Sequence, residues 1–423
     1  MTGTGPDPAT TATAPADGIS PPPHAQRRIL TVLVVSQVLS GAGLAAGITV
    51  GALLAQDMLD STGLAGLPSA LFTAGSALAA VAVGRISQAR GRRPGLAVGY
   101  LAGAVGAAAV IAAAVADNAP LLFVALFVYG AGTATNLQAR YAGADLAAPA
   151  HRGRAVSTVL VATTLGGVIG PNLAAPTGDL AAALGIPRLA GPFLLAGAAY
   201  ALAALVLAVW LRPDPLLLAR TLDRQGTATP EQPPAEPGSR RAPGVVLGAL
   251  IMILTQLVMV AIMTMTPVHM QHHGHGTAAA GLVIAIHVGA MYLPSPLTGW
   301  LVDRFGRLPI AAASGVTLLA AGVLAATAPG DSVAPLALAL ALLGLGWNFG
   351  LVSGTAIITD AVPLANRART QGLVDVSIAI AGATGGLASG ALVAAASYPV
   401  LALAGGVLSL AVLPAVAATA HRR

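Results

Sequence analysis

The feature that most constrains this chain is a succession of long apolar runs with almost no charge inside them. Twelve can be delimited, at about 29–54, 64–86, 95–115, 119–141, 156–176, 190–211, 245–266, 277–302, 309–328, 333–358, 371–395 and 398–418. A helix crosses the ~30 Å hydrocarbon core of a bilayer with about 20 residues, and each run is of that order. Only 9% of the 423 residues are charged, against about 25% in soluble domains, so charge cannot coat a water-facing surface of this size. The pattern predicts an all-α membrane protein with twelve transmembrane helices. It excludes a soluble enzyme, a nucleic-acid-binding domain and a disordered chain, and the lipid bilayer becomes the first expected partner.

The longest polar interruption, 212–243, divides the runs six and six. The expected organisation is a cytoplasmic tail without structure (1–28), an N-terminal six-helix half (29–211), a flexible cytoplasmic linker (212–243), a C-terminal six-helix half (244–418) and a short tail (419–423). Residues 1–23 lack the basic start and apolar core of a signal peptide. All 21 Lys+Arg are Arg. They sit before run 1 (Arg27, Arg28), after run 2 (Arg85, Arg90, Arg92, Arg93) and around the end of run 4 (Arg140, Arg152, Arg154). The others lie in the linker (Arg212, Arg220, Arg224, Arg240, Arg241), after runs 8 and 10 (Arg304, Arg307, Arg367, Arg369) and at the end (Arg422, Arg423), leaving only Arg188 on the opposite side. Since cytoplasmic loops collect Arg, both termini and the linker are expected in the cytoplasm of a multi-pass cell-membrane protein, read as a monomer.

The halves repeat. Gly84-Arg85-Ile86-Ser87-Gln88-Ala89-Arg90-Gly91-Arg92 follows run 2, and Gly299-Trp300-Leu301-Val302-Asp303-Arg304-Phe305-Gly306-Arg307 follows run 8, an offset of 299 − 84 = 215. Parallel six-helix repeats are one architecture of secondary transporters, with the substrate near the midplane between them. Glycines permit a tight turn, and Asp303 can accept from arginines or from a helix N-terminus.

The second copy resembles the signature loop of the major facilitator superfamily, which implies a two-half transporter whose loop (Gly84, Gln88, Gly91, Arg92; Gly299, Asp303, Arg304, Gly306, Arg307) acts at the cytoplasmic gate. The first copy departs from that pattern, with Gln88 where the family has Asp, so it offers only neutral hydrogen bonds. Gly166, Gly170 and Pro171 in run 5 resemble the antiporter motif of the same superfamily. Without the closing glycines the match is partial, and a kinked packing helix is an equal reading.

Met and His concentrate in one window. Met252, Met259, Met263, Met265, Met270 and Met291 lie there, as do His269, His272, His273, His275 and His287. Thioether sulfur with imidazole and no thiol suits Cu(I). Met259 and Met263 are i, i+4, as are His287 and Met291, so each pair shares one helix face. Met270, His272, His273 and His275 are read as an external loop that gathers metal at the entrance. Met also fills helix contacts, and an intramembrane His also serves packing or proton binding. The paired motifs, each 28 residues apart (287 − 259 and 291 − 263), resemble those of the copper-importing branch of the superfamily, which supplies copper for cytochrome oxidase assembly in bacteria. That resemblance implies metal ligation by Met259, Met263, His287 and Met291. A neighbouring branch imports riboflavin, and the alternative substrate is such a small organic molecule, carried with proton coupling.

Gln37, Gln256, Asn348 and Asp375 are candidates for lining the cavity or for tying helices together. Asp375 is read either as a proton carrier or as the partner of Arg367 or Arg369. Asp145 and Asp360 are read as gate or anchor residues. The chain has no Lys, so it lacks a Walker-type phosphate loop, and no cofactor is implied. Energy must then come from a gradient. A non-transporting membrane sensor would need a folded soluble domain, and neither 1–23 nor 212–243 has the composition for one.

Overall fold

The computed structural model describes residues 23–59, 67–226, 242–330 and 332–420. The tail up to residue 22, linker residues 227–241 and the last three residues of the C-terminal tail lie outside the described residues.

The described residues form sixteen α-helices and no strand. The N-terminal half holds α1 (Pro23–Leu59), α2 (Leu67–Arg90), α3 (Arg92–Val115), α4 (Ala119–Ala144), α5 (Arg152–Asn172), α6 (Ala174–Ala183) and α7 (Gly191–Trp210). After α8 (Pro215–Gly226) come α9 (Ala242–His272), α10 (Thr277–Tyr292), α11 (Ser295–Phe305) and α12 (Arg307–Thr327). The chain ends with α13 (Val333–Ala361), α14 (Arg367–Ala395), α15 (Tyr398–Ser409) and α16 (Val412–Ala420). Ten stretches are long and apolar enough to cross a membrane among the described residues. With α1 and the α5–α6 pair they make twelve spans in two six-helix halves.

Three spans are broken, each for one local reason. Pro176, Pro296 and Pro414 lie in the first turns of α6, α11 and α16. A proline lacks the N–H that would bond back four residues, to positions 172, 292 and 410, and the preceding segment ends at or beside each of those positions. Asn348 repairs one break. Its Nδ2 donates to the Met291 carbonyl at 2.7 Å and to Ser295 Oγ at 2.7 Å, while Thr298 donates to its Oδ1 at 2.5 Å.

Each half has its own apolar core. One runs from Ile29 to Ala219, and the other is built chiefly from α9 to α15. Helices approach closely through glycine. A Cβ on Gly166 would collide with the backbone of α1 at Val38 and Ala42. The run 5 motif thus packs α5 on α1 through Gly166, whereas the side-chain surroundings of Gly170 and Pro171 lie outside the described residues.

The linker is not structureless throughout. Asp214 caps α8, its Oδ1 accepting from the N–H groups of Leu216 (3.0 Å) and Leu217 (3.2 Å), with Pro215 at the first helical position. Leu216 and Ala219 are buried and Leu218 and Leu222 are partly covered, so one face of α8 lies on the N-terminal core. The polar composition of 212–243 hid this short amphipathic helix.

Candidate functional site

The two loops between paired helices build matching structures. Gly91 and Gly306 (306 − 91 = 215) take φ of 97° and 94°, a backbone region that side-chain-bearing residues rarely adopt, and so let α3 and α12 start at once. The next residue in each case is an arginine. Arg92 donates through Nε to Asp145 Oδ2 at 2.7 Å and through Nη2 to Gln371 Oε1 at 2.5 Å. Arg307 meets Asp360 Oδ2 at 2.5 Å. The second partner of each aspartate comes from the other half: Arg367 lies 3.8 Å from Asp145, and Arg152 is ion-paired with Asp360. Arg304 is exposed.

Gln88 and Asp303 occupy equivalent places (303 − 88 = 215) and cap helices of the opposite half. Asp303 accepts from the N–H of Gly153 (2.8 Å) and of Arg154 (3.0 Å) at the start of α5. A carboxylate at a helix N-terminus meets both unpaired donors and the positive end of the helix dipole. Gln88 Oε1 accepts from Ala368 (2.9 Å) and Arg369 (3.3 Å) at the start of α14, while its Nε2 donates to the carbonyls of Leu364 and Ala365. A neutral amide suits this position because it must donate on one side and accept on the other. Below each cap the helices touch. A Cβ on Gly84 would lie 2.9 Å from the Ala368 carbonyl oxygen, and one on Gly299 would lie 2.5 Å from that of Gly153.

Beyond these contacts a cavity of about 500 Å³ opens between α2, α4, α9 and α14. It extends from Asp375 to Pro68 in the first turn of α2, at the end away from the paired loops. Its walls are largely apolar, and Thr73, Ser76, Thr133, Gln256, Thr264 and Asp375 contribute polar groups. Gln256 Oε1 accepts from Trp347 Nε1 at 2.7 Å.

Asp375 pairs with neither Arg367 nor Arg369. It meets Arg140 of the opposite half, Nη2 to Oδ1 at 2.8 Å, and the Tyr141 hydroxyl donates to the same oxygen at 3.1 Å. Arg140 is fully buried, donates through Nε to Thr355 Oγ1 at 3.1 Å, and lies over the Tyr141 ring at 4.2 Å. By position alone Arg140 groups with the arginines around the end of run 4. Its place inside the run 119–141 was the available signal, since a charge within a span is costly and functional.

Gln37 and Asn348, by contrast, are absent from the cavity lining. Gln37 ties α1 to α4 and α5, donating to the Asn136 carbonyl and to Thr163 Oγ1, each at 3.1 Å. Asn348 serves the break in span 8, as described.

The structure divides the Met/His set between the buried core of the C-terminal half and the end of α9 with the residues that follow it. Met259, His287 and Met291 are buried in the C-terminal half, and Met263 packs against that core. His287 Nδ1 is 2.9 Å from the Leu340 carbonyl oxygen and its Nε2 has no hydrogen-bond partner. None of these four lines the cavity. Met270 is not in a loop: it lies in the last turns of α9 and is fully buried, because that face of the helix packs into the core. His272 is the last residue of α9, His273 Nδ1 is 2.9 Å from the His269 carbonyl oxygen, and His275 Nε2 is 2.8 Å from that of Gly330. His273 and His275 both lie against Gly330, between α12 and α13, whereas Met270 faces the core.

Two six-helix halves, joined at one end by paired caps and ion pairs and parted by a cavity between α2, α4, α9 and α14, define a membrane carrier. The Major Facilitator Superfamily model matches residues 33–294 and 248–423, and the chain belongs to that family. It is 57% identical over 396 residues to "Uncharacterized MFS-type transporter YdeG" of Bacillus subtilis, covering 92% of this chain and 91% of that one. It is 34% identical over 359 residues to "Riboflavin transporter RfnT" of Brucella anthropi, covering 83% and 85%. Among solved structures, the fold is similar to the human organic anion transporter MFSD10 (TM-score 0.75, 16% identity, 94% and 100% covered). It is also similar to the proton:xylose symporter XylE (TM-score 0.69, 18% identity, 92% and 94% covered).

Proposed function

We propose that this chain is a secondary transporter that carries a small organic solute by alternating access. The observation that supports the reading most is the cavity of about 500 Å³ between the halves, closed at one end by two equivalent sets of inter-half contacts. Its volume falls in the range of sites for drug-sized molecules, roughly 300–1,000 Å³. The relative named as a riboflavin transporter supports the same class of solute. The closed end carries most of the arginines, so it is assigned to the cytoplasm, with both termini and the 212–243 linker. The conformer is then outward-facing in a monomeric cell-membrane protein. Gln88, Asp303, Asp145 and Asp360 act as latches that separate when the halves rock.

Copper import is the second reading, favoured by the unpartnered Nε2 of His287 in the same buried core as Met259 and Met291. One comparison tests both: cellular copper content and riboflavin uptake in deletion and overexpression strains. Uptake that follows expression at constant copper content supports the organic solute. Copper content that follows expression, with uptake of organic solutes unchanged, overturns it.

A further inference from the structure

Asp375 is 6% exposed and uses only one carboxylate oxygen. Oδ1 serves Arg140 and Tyr141, while Oδ2 is buried without a partner in a residue that lines the cavity. A buried acceptor left unpaired is unfavourable, so the site favours a donor that arrives with the solute.

We propose that Asp375 Oδ2 reads the solute by accepting from a neutral N–H or O–H group on an otherwise apolar molecule. This rests on the organic-solute reading above. The charge state of the floor selects the class. Arg140 and Asp375 already cancel, so a cationic solute would add an uncompensated charge at low dielectric and compete with Arg140. Arg140 is further held by Tyr141, Thr355 and the Leu137 carbonyl. An anion would face the carboxylate. The apolar walls suit the remainder of a neutral ring system.

Gln256 sets the other end. Its Oε1 is taken by Trp347, which leaves its amide N–H groups as donors, and Nε2 lies 3.1 Å from the position of a Cβ on Gly382. Gly382 is two helical turns above Asp375 on α14 (382 − 375 = 7 residues), about 10 Å at 1.5 Å per residue. The solute therefore presents a donor at one end and an acceptor roughly 10 Å away.

The test is binding to the purified protein in lipid nanodiscs, read by quenching of Trp347 fluorescence with Trp210 and Trp300 replaced by Phe throughout. The probes are matched pairs of neutral heteroaromatic solutes that carry no hydroxyl and whose single ring N–H is free or methylated, theophylline and caffeine among them, plus tetraphenylphosphonium. Asp375→Asn alone would strand Arg140, so the variant is Arg140→Met with Asp375→Leu, an apolar replacement of the whole pair that stability tolerates. Wild type should prefer the N–H member by about tenfold or more, and the double variant should bind both members alike. Equal binding of a pair by wild type would mean that Oδ2 holds water only, and overturns the proposal alone. So does a preference that survives in the double variant, or tighter binding of the phosphonium. Failure of every pair to bind overturns the organic-solute reading as well.

Discussion

Replacing Gly299 with Ala should open the end of the molecule where the halves meet. The added Cβ would lie 2.5 Å from the carbonyl oxygen of Gly153 and 2.5 Å from Ser157 Oγ, where ordinary contact begins at 3.4 Å. The Gly153 oxygen is backbone, so α5 and α11 must part by roughly 1 Å, and overpacking of this size costs about 1–3 kcal/mol. The strain exists only while the two helices touch. In a two-state carrier it therefore weights the conformer with this end open by about 5- to 150-fold. The chain has no cysteine, so spin labels can be placed at exposed Arg90 and Arg369 alone. Electron–electron distance distributions between them should shift to longer separations in Gly299→Ala. Gly281→Ala, where a Cβ meets nothing within 4 Å, should leave them unchanged. Identical distributions for Gly299→Ala and wild type, with both proteins monodisperse, would refute the reasoning.

Three further outcomes are expected. Asp303→Asn keeps one of the two oxygens that accept from Gly153 and Arg154, sets an amide donor against the other N–H and loses the charge facing the α5 N-terminus, which weakens the closed end by about 1 kcal/mol; transport in proteoliposomes should fall at equal protein content. Gln88→Glu should act in the same direction with a larger effect, about 1–3 kcal/mol, because a carboxylate oxygen would face the carbonyls of Leu364 and Ala365 where an amide now donates; the same distance measurement checks it. Reporter fusions at residues 230 and 273 should give opposite topologies, and a shared side would sink the twelve-span arrangement.

The sequence by itself carried the architecture, because the physics behind it is local. Run length against bilayer thickness gives helices, and the 215-residue offset gives two halves. Asp145 and Asp360 were also legible, since an acid beside arginines at a helix end has few other uses. The breaks in spans 5, 8 and 12 follow from proline positions and were within reach in the same way, as was α8 from Asp214-Pro215 and the leucines that follow.

What the sequence left open depended on which residues meet across the halves. Arg140 and Asp375 are 235 positions apart, and no pattern along the chain relates them; only the packing of α4 on α14 makes them a pair. The same packing distinguishes polar residues that looked alike in the sequence: Gln256 and Asp375 line the cavity, whereas Gln37 and Asn348 hold helices together. Helical spacing puts Met259 with Met263, and His287 with Met291, on shared faces, but it does not say whether a face meets the cavity or a neighbouring helix. Tertiary packing turned the faces of Met259, His287 and Met291 into the C-terminal core, because burying apolar thioether and ring surface against α13 is decided between helices and not along one.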